Sequence, residues 1–289
     1  MAIYGLFFLA RHGISRSTGN EMGHPFTPEH GTYGVFLTFA LAALLALTLS
    51  SRSTLGRWLG FGSAGLITLA IILSLARAAF LGLAVVFATA LWYLMRAGRA
   101  RTALAVIVLT GMVAVGVARF RASEFVGLYA TSIAQPGELS NLERISRWLA
   151  AWNMVRAHPL LGIGYGTYED TYFSYRVLTL RTADRFERWG VHSEYFRILA
   201  EMGWLGFAAL VAFLAVVMRQ GGVAIRRARS PADRSMSIGV LAGFASYLIN
   251  GIFNYYGESD KIMIPLWFFA ATIACLWART RSPEVAASP

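Results

Sequence analysis

Residues 203–218 read GWLGFAALVAFLAVVM and contain no charged side chain. A transmembrane helix needs roughly 17 to 25 mainly apolar residues, so this run nearly suffices to cross a membrane. Comparable runs recur along the chain, and together they give seven candidate spans: 33–50, 59–75, 78–95, 103–118, 203–218, 236–255 and 264–277. The second and third are separated by very few residues around Arg77, which predicts a tight helical hairpin. The sequence therefore predicts an all-α fold, a polytopic membrane helical bundle.

The composition agrees with a membrane protein. The 289 residues are 56% hydrophobic and 14% charged, whereas a soluble domain carries about a quarter charged residues. The net charge of +11 would suit a nucleic-acid partner, but Lys261 is the only lysine and the arginines lie mostly at the ends of apolar runs. We therefore expect membrane lipids, and no nucleic acid, as partners. The single Cys275 cannot form a disulfide within the chain, so Cys-based zinc or redox chemistry is unsupported.

The arginines between spans predict the orientation of the chain. If the spans alternate in direction, twelve arginines lie on the same side of the membrane: Arg52, Arg57, Arg96, Arg99, Arg101, Arg219, Arg226, Arg227, Arg229, Arg234, Arg279 and Arg281. The positive-inside rule makes that side cytoplasmic. The predicted segments are then an external N-terminal segment (1–32), four spans (33–118), a large external loop (119–202), three spans (203–278) and a cytoplasmic tail (279–289). We expect residues 1–10 to be the tail of a span whose beginning is missing, with a position at the membrane interface as the alternative.

The external loop should contain an amphipathic helix over 141–158. Residues 140–143, Ser-Asn-Leu-Glu, match a capping box, in which the serine and glutamate side chains satisfy free amides at a helix start. Helical spacing then gives the helix an apolar face suited to the membrane surface or to other helices, formed by Leu142, Ile145, Leu149 and Trp152. The glycine-rich stretch 162–166 follows this helix and Pro159 rather than a strand, which favours a turn over a dinucleotide-binding loop.

Three arginines of this helix differ in their predicted positions. At 100° per residue, Arg147 lies opposite the apolar face, Arg144 lies near its border and Arg156 falls within it. We therefore expect Arg156 to be the most buried of the three. These side chains could extend toward lipid headgroups, or their paired donors could grip the phosphate oxygens of an anionic substrate. Arg77 lies in the very short connection between the second and third predicted spans. Its side chain could likewise extend toward lipid headgroups or bind an anionic substrate.

His192 is the best candidate for a general base. An unperturbed imidazole titrates near neutrality, so it can accept a proton from a sugar hydroxyl. Glu194 could orient the imidazole or could cap the helix that follows. His30, before the first predicted span, could be a second site residue or only an interfacial one. The acidic pair Glu258 and Asp260 could in principle bind a metal, but a solvated turn is favoured, and we predict no metal site and no cofactor.

Three stretches of the chain resemble the O-antigen ligase and polymerase family of bacterial envelope proteins. They are SLARA (74–78), NLERISRW (141–148) leading to HPLLGIG (158–164), and HSEY (192–195) followed by AEMGWLG (200–206). A weaker match is FTPEHGTYG (26–34). The resemblance implies a helical bundle with a large external loop, similar to the GT-C-like architecture of lipid-linked sugar transferases. It also implies a multi-pass protein of the bacterial inner membrane whose active site faces the periplasm.

The resemblance further implies a reaction and roles for individual residues. Members of the family transfer a glycan from undecaprenyl pyrophosphate to a growing glycan, to lipid A-core or to a protein. Arg77 and Arg144 would bind the pyrophosphate, with Arg147 as a third ligand and Arg156, Glu194 and His30 as possible additional site residues. His192 would activate the acceptor hydroxyl in an inverting displacement without a metal.

Two other functions remain open from the sequence. The many spans and Arg77 would suit a transporter, although transport calls for polar residues or broken helices at mid-membrane and these spans are largely apolar. A non-catalytic partner or fragment of a polysaccharide assembly system is the other alternative. Ligation and polymerisation are not distinguished by the sequence, because loop shape and neighbouring enzymes decide between them.

Overall fold

The computed structural model describes residues 1–13, 15–27, 29–96, 98, 139–177 and 190–281. Within these ranges the chain forms ten α-helices and no strand. The helices are α1 (Ala2–His12), α2 (Arg16–Glu21), α3 (His30–Ser50), α4 (Thr54–Leu73), α5 (Arg77–Arg96), α6 (Leu139–Ala157), α7 (Tyr168–Tyr175), α8 (Glu194–Arg226), α9 (Pro231–Phe253) and α10 (Asp260–Arg279).

Six of these helices are long and apolar enough to cross a membrane: α3, α4, α5, α8, α9 and α10. They correspond to six of the predicted spans, which confirms the all-α, multi-pass fold. The remaining predicted span, 103–118, lies outside the described residues. The predicted short connection between spans two and three is confirmed, because α4 ends at Leu73 and α5 begins at Arg77. Within that turn, Leu75 has a left-handed φ of 56° and the buried Ser74 Oγ accepts a hydrogen bond from Ala76 N.

The chain divides into two compact units. The first comprises residues 1–115, 215–250 and 259–289. In this unit α3 packs against α4, α5 and α10, and α1 packs against α2 and α4. The second unit comprises residues 116–214 and 251–258, and it contains the predicted amphipathic helix and the residues around His192.

The second unit is built around a core of its own. One face of α6 contributes Ala150, Ala151, Met154 and Val155, which pack with two tyrosines of α7, Tyr168 and Tyr172. Val191 and the first turns of α8, at Leu199 and Ala200, complete this core. Trp148 stacks on Phe196 with 5.6 Å between ring centroids, so α6 and α8 are also joined by an aromatic pair. The small residues of α6 allow the three helices to approach closely.

The outer face of α6 carries the predicted apolar stripe. Ile145, Leu149 and Trp152 are 46%, 40% and 40% exposed, whereas Arg147, on the opposite face, is only 3% exposed. The side chains of Leu142 and of the proposed capping residues Ser140 and Glu143 lie outside the described residues. The expectation that Arg156 is the most buried arginine is wrong, because Arg156 is exposed. The physical reason is that α6 packs the face with Ala150, Ala151 and Met154 into the core and leaves Ile145, Leu149 and Trp152 outside.

Candidate active site

Arg147 is a buried cation held by the backbone of the second unit. Its Nη1 donates a hydrogen bond to the carbonyl oxygen of Gly190 at 3.2 Å. The carbonyl oxygen of Arg147 itself accepts a 2.8 Å hydrogen bond from the hydroxyl of Tyr168. A buried guanidinium is costly unless it is hydrogen-bonded, so these contacts place its charge at a defined position beside the segment that leads to His192.

His192 lies immediately before α8 in an unusual backbone conformation. Its φ is 51°, in the left-handed region, which few non-glycine residues occupy and which tends to mark functional sites. Burial lowers the pKa of His192 to about 4, with further lowering by the positive charges of Arg147 and Arg144. The imidazole is therefore neutral at physiological pH, the form that can accept a proton. Arg144 and Arg147 are therefore close enough to His192 for their charges to act on its imidazole.

Glu194 joins the His192 segment to the connection after α9. Its Oε2 accepts a 2.7 Å hydrogen bond from the backbone nitrogen of Tyr256, and its own backbone nitrogen donates to the carbonyl oxygen of Asn254 at 3.1 Å. Ser193 Oγ accepts a 3.4 Å hydrogen bond from Phe196 N at the start of α8. Glu194 thus anchors a distant stretch of backbone next to His192, a role that its position in the sequence did not indicate.

The buried Arg197 is the centre of an ionic cluster that sequence reasoning missed. Its Nε donates to Glu201 Oε2 at 3.1 Å, and its Nη2 forms an ion pair with Glu258. The guanidinium lies 4.0 Å from the ring centroid of Tyr255, whose hydroxyl donates to Glu258 Oε2 at 2.8 Å. The four-residue spacing of Arg197 and Glu201 could have indicated their pairing. Glu258 lies in an exposed turn, as expected, and its carboxylate also pairs with Arg197. Local sequence carried no signal for a partner so far along the chain.

Glu201 also organises the chain that follows α6. Its Oε1 accepts a 3.2 Å hydrogen bond from Tyr168 N, at the start of α7. The glycine-rich turn predicted after α6 lies against the same residues, because Ile163 N donates to the carbonyl oxygen of Ala200 at 3.0 Å and Gly164 N to that of Glu201 at 2.9 Å. Gly162 has a φ of 70°, and a Cβ there would overlap the backbone of Ala200 and Glu201. A side chain at this position would therefore separate the turn from α8.

The other predicted site residues have different locations. Arg77 and His30 are the first residues of α5 and α3, and both belong to the first unit. The side chain of Arg77 lies outside what the structure describes, so its role stays a prediction, as does that of His30. Arg156 is exposed near the end of α6. Across the described ranges, no group of three or more His, Cys, Asp or Glu side chains could hold a metal ion.

These observations define a class of protein: a multi-pass helical membrane protein with a buried arginine and a neutral histidine in one compact unit. A family model described as O-antigen ligase matches residues 62–211, just over half of the chain. The chain therefore belongs to the O-antigen ligase family, whose members are membrane glycosyltransferases. The matched range includes Arg77, Arg144, Arg147, Arg156, His192 and Glu194. No match was found among curated proteins.

Proposed function

We propose that this protein transfers a glycan from undecaprenyl pyrophosphate to an acceptor hydroxyl, as an O-antigen ligase or a polysaccharide polymerase. The observation that carries the proposal is the neutral imidazole of His192 within electrostatic reach of the cations Arg144 and Arg147. A transfer from a pyrophosphate donor needs one base and positive charge at the leaving group, since pyrophosphate already departs readily. The site supplies both.

In the proposed reaction, His192 removes the proton from the acceptor hydroxyl. At the same time the oxygen of that hydroxyl attacks the anomeric carbon of the donor sugar. The bond between that carbon and the pyrophosphate oxygen breaks, and undecaprenyl pyrophosphate leaves with the electron pair. Configuration at the anomeric carbon is inverted because attack and departure occur on opposite faces. Arg144 and Arg147, with Arg77 as a further predicted ligand, stabilise the charge that develops on the pyrophosphate. The acceptor is a growing glycan or lipid A-core.

The arginine distribution supports a location for this reaction. Cytoplasmic arginines between the spans would place residues 119–202 at the periplasmic face of the bacterial inner membrane. The donor pyrophosphate lies at the membrane surface, because its polyprenyl chain is held in the bilayer. A site in the second unit would therefore meet the donor where its charged group is accessible.

The arginine role is tested by comparing two variants of α6. We expect Arg144→Ala to reduce transfer in vitro by about 10²- to 10³-fold, because a cation that stabilises developing charge is lost. The measurement is the rate of product formation from an undecaprenyl-pyrophosphate-linked glycan, with candidate acceptors, by purified protein in lipid nanodiscs.

Arg156→Ala is the matched control, since Arg156 lies on the same helix but is exposed. It should retain nearly the full rate. Equal rates for the Arg144 and Arg156 variants would contradict the proposed pyrophosphate contact. The same assay run with a chelator should give an unchanged rate, and loss of transfer would overturn the metal-independent mechanism.

The pH dependence of transfer tests the state of His192. Because kcat/KM reports the free enzyme, its acid limb should follow a pKa of about 4 rather than the ordinary value of 6.5. We therefore expect kcat/KM to stay level from neutral pH to mildly acidic pH. An acid limb near pH 6.5 would contradict the half-buried, neutral imidazole.

The control for this profile is recovery of activity at pH 7 after exposure to each acidic pH. It is needed because the unfolded chain protonates His192 at a higher pH than the folded chain does. The contribution of this group to stability is therefore present above about pH 6.5 and is lost progressively as the pH falls toward 4. Full recovery at pH 7 separates titration of the base from unfolding.

A further inference from the structure

Large apolar side chains are exposed in two consecutive segments of the second unit. On the outer face of α6 these are Ile145, Leu149 and Trp152. In the loop that follows α6 they are Leu160 and Leu161, which are 64% and 74% exposed. Groups of exposed large apolar side chains mark interaction sites more often than isolated ones do. We call these five residues the interfacial surface.

The loop part of this surface is fixed to the beginning of a membrane span. Trp204 N donates a 2.8 Å hydrogen bond to the carbonyl oxygen of Pro159, and Leu205 N donates to that of Leu160 at 3.3 Å. Gly203, with a φ of 63°, interrupts α8 here, and a Cβ at this position would overlap the backbone of Leu160. Leu160 and Leu161 are therefore held at the level at which the apolar part of α8 starts.

The helical part of the surface lies on α6, which directly precedes this loop in the chain. Ile145, Leu149 and Trp152 recur at four and three residues, so they form one stripe along α6. The exposed Arg156 falls at the loop end of the same stripe. An apolar stripe with tryptophan and a bordering arginine is the composition of a helix that lies in the plane of a membrane surface, where the cation reaches the lipid phosphates.

We propose that the interfacial surface is immersed in the bilayer surface next to Gly203, so that α6 lies along the membrane with Ile145, Leu149 and Trp152 toward the lipid. The occupant is the lipid bilayer because the loop is bonded to the first turn of a span and therefore borders the lipid that surrounds it. Since Arg147 lies on the opposite face of α6, this immersion turns its side of the helix away from the hydrocarbon. If the proposed function holds, the immersion of this surface also fixes the height of Arg147 and His192 relative to a lipid-linked pyrophosphate.

The test is site-directed spin labelling of the full chain in nanodiscs of phosphatidylethanolamine and phosphatidylglycerol. The exposed Cys275 is first replaced by alanine. A single cysteine is then introduced as Leu149→Cys or Leu161→Cys and labelled with a nitroxide. Power saturation measures collisions with oxygen, which concentrates in hydrocarbon, and with a water-soluble nickel chelate. Two controls are Val211→Cys, exposed within the apolar part of α8, and Asp170→Cys, exposed on α7.

We expect labels at positions 149 and 161 to collide with oxygen more than with nickel, as the label at position 211 does, and to indicate similar depths. The label at position 170 should favour nickel. Accessibility to nickel at either position 149 or position 161 would overturn the proposal. Poor access of both reagents to these positions would also overturn it, because it would indicate that protein, rather than lipid, packs against this surface. The result does not depend on catalysis, so failure of the proposed glycan transfer and failure of this inference are distinguishable.

Discussion

Replacing His192 with alanine is expected to reduce glycan transfer by about 10²- to 10⁴-fold, the range typical for loss of a general base. The imidazole is neutral at physiological pH because burial and two neighbouring arginines lower its pKa to about 4. No solvent molecule replaces it efficiently, since a water is a much weaker base and is not held in position. The loss should appear mainly in kcat, because proton removal occurs in the transition state.

His158→Ala is the control for this experiment. His158 is also in the second unit, but it is exposed and its Nε2 lies 3.3 Å from the hydroxyl of Tyr175. Its replacement should leave transfer nearly unchanged. Both variants should be recovered from membranes in wild-type amounts, so that rates refer to folded protein. Normal transfer by the His192 variant would show that His192 is not the general base, irrespective of the results for the arginine variants.

Replacing Glu201 with alanine is expected to lower the free energy of unfolding of the second unit by about 3–5 kcal/mol, the cost of breaking a buried ion pair. Glu201 is 1% exposed and accepts hydrogen bonds from both Arg197 Nε and Tyr168 N. Its loss removes one of the two carboxylates paired with the buried Arg197 and leaves the start of α7 without that acceptor. The measurement is thermal unfolding in detergent, followed by tryptophan fluorescence.

Glu258→Gln provides the matched comparison, because the Glu258 side chain pairs with the same guanidinium but is 49% exposed. Water can replace part of its contact, so the melting temperature should fall much less than for the Glu201 variant. The double variant Arg197→Leu with Glu201→Leu should be less destabilised than the sum of its single variants, since no buried charge is left unpaired between them. Additive losses would show that the two residues do not act as a pair.

The sequence alone determined the spans of this protein. Runs such as 203–218 can satisfy their backbone polar groups inside a membrane only as helices. Length and hydropathy therefore predicted all six spans that the structure describes. The short connection at Arg77 followed from the same runs, because too few residues separate them for any longer loop. The motifs around Arg144 and His192 predicted the family, which the comparison with family models then confirmed.

Only the tertiary structure decided which face of α6 is buried. Helical spacing placed the apolar stripe and Arg147 on opposite sides and put Arg156 within the stripe, but it left open whether the stripe faces the membrane surface or other helices. The core instead accepts the small side chains of Ala150 and Ala151, because they let α7 and α8 approach α6. Hydropathy could not distinguish a stripe that packs on protein from one that faces lipid, since both need the same side chains.

The environment of His192 was also decided by tertiary contacts. Its type and place before a span indicated a base, but its lowered pKa comes from burial and from arginines more than forty residues earlier in the chain. The contacts from Glu194 to Tyr256 N and from Arg197 to Glu258 join segments about sixty residues apart. Periodicity and motif spacing report only on neighbours within a few turns, so contacts of this kind appear only once the chain is folded.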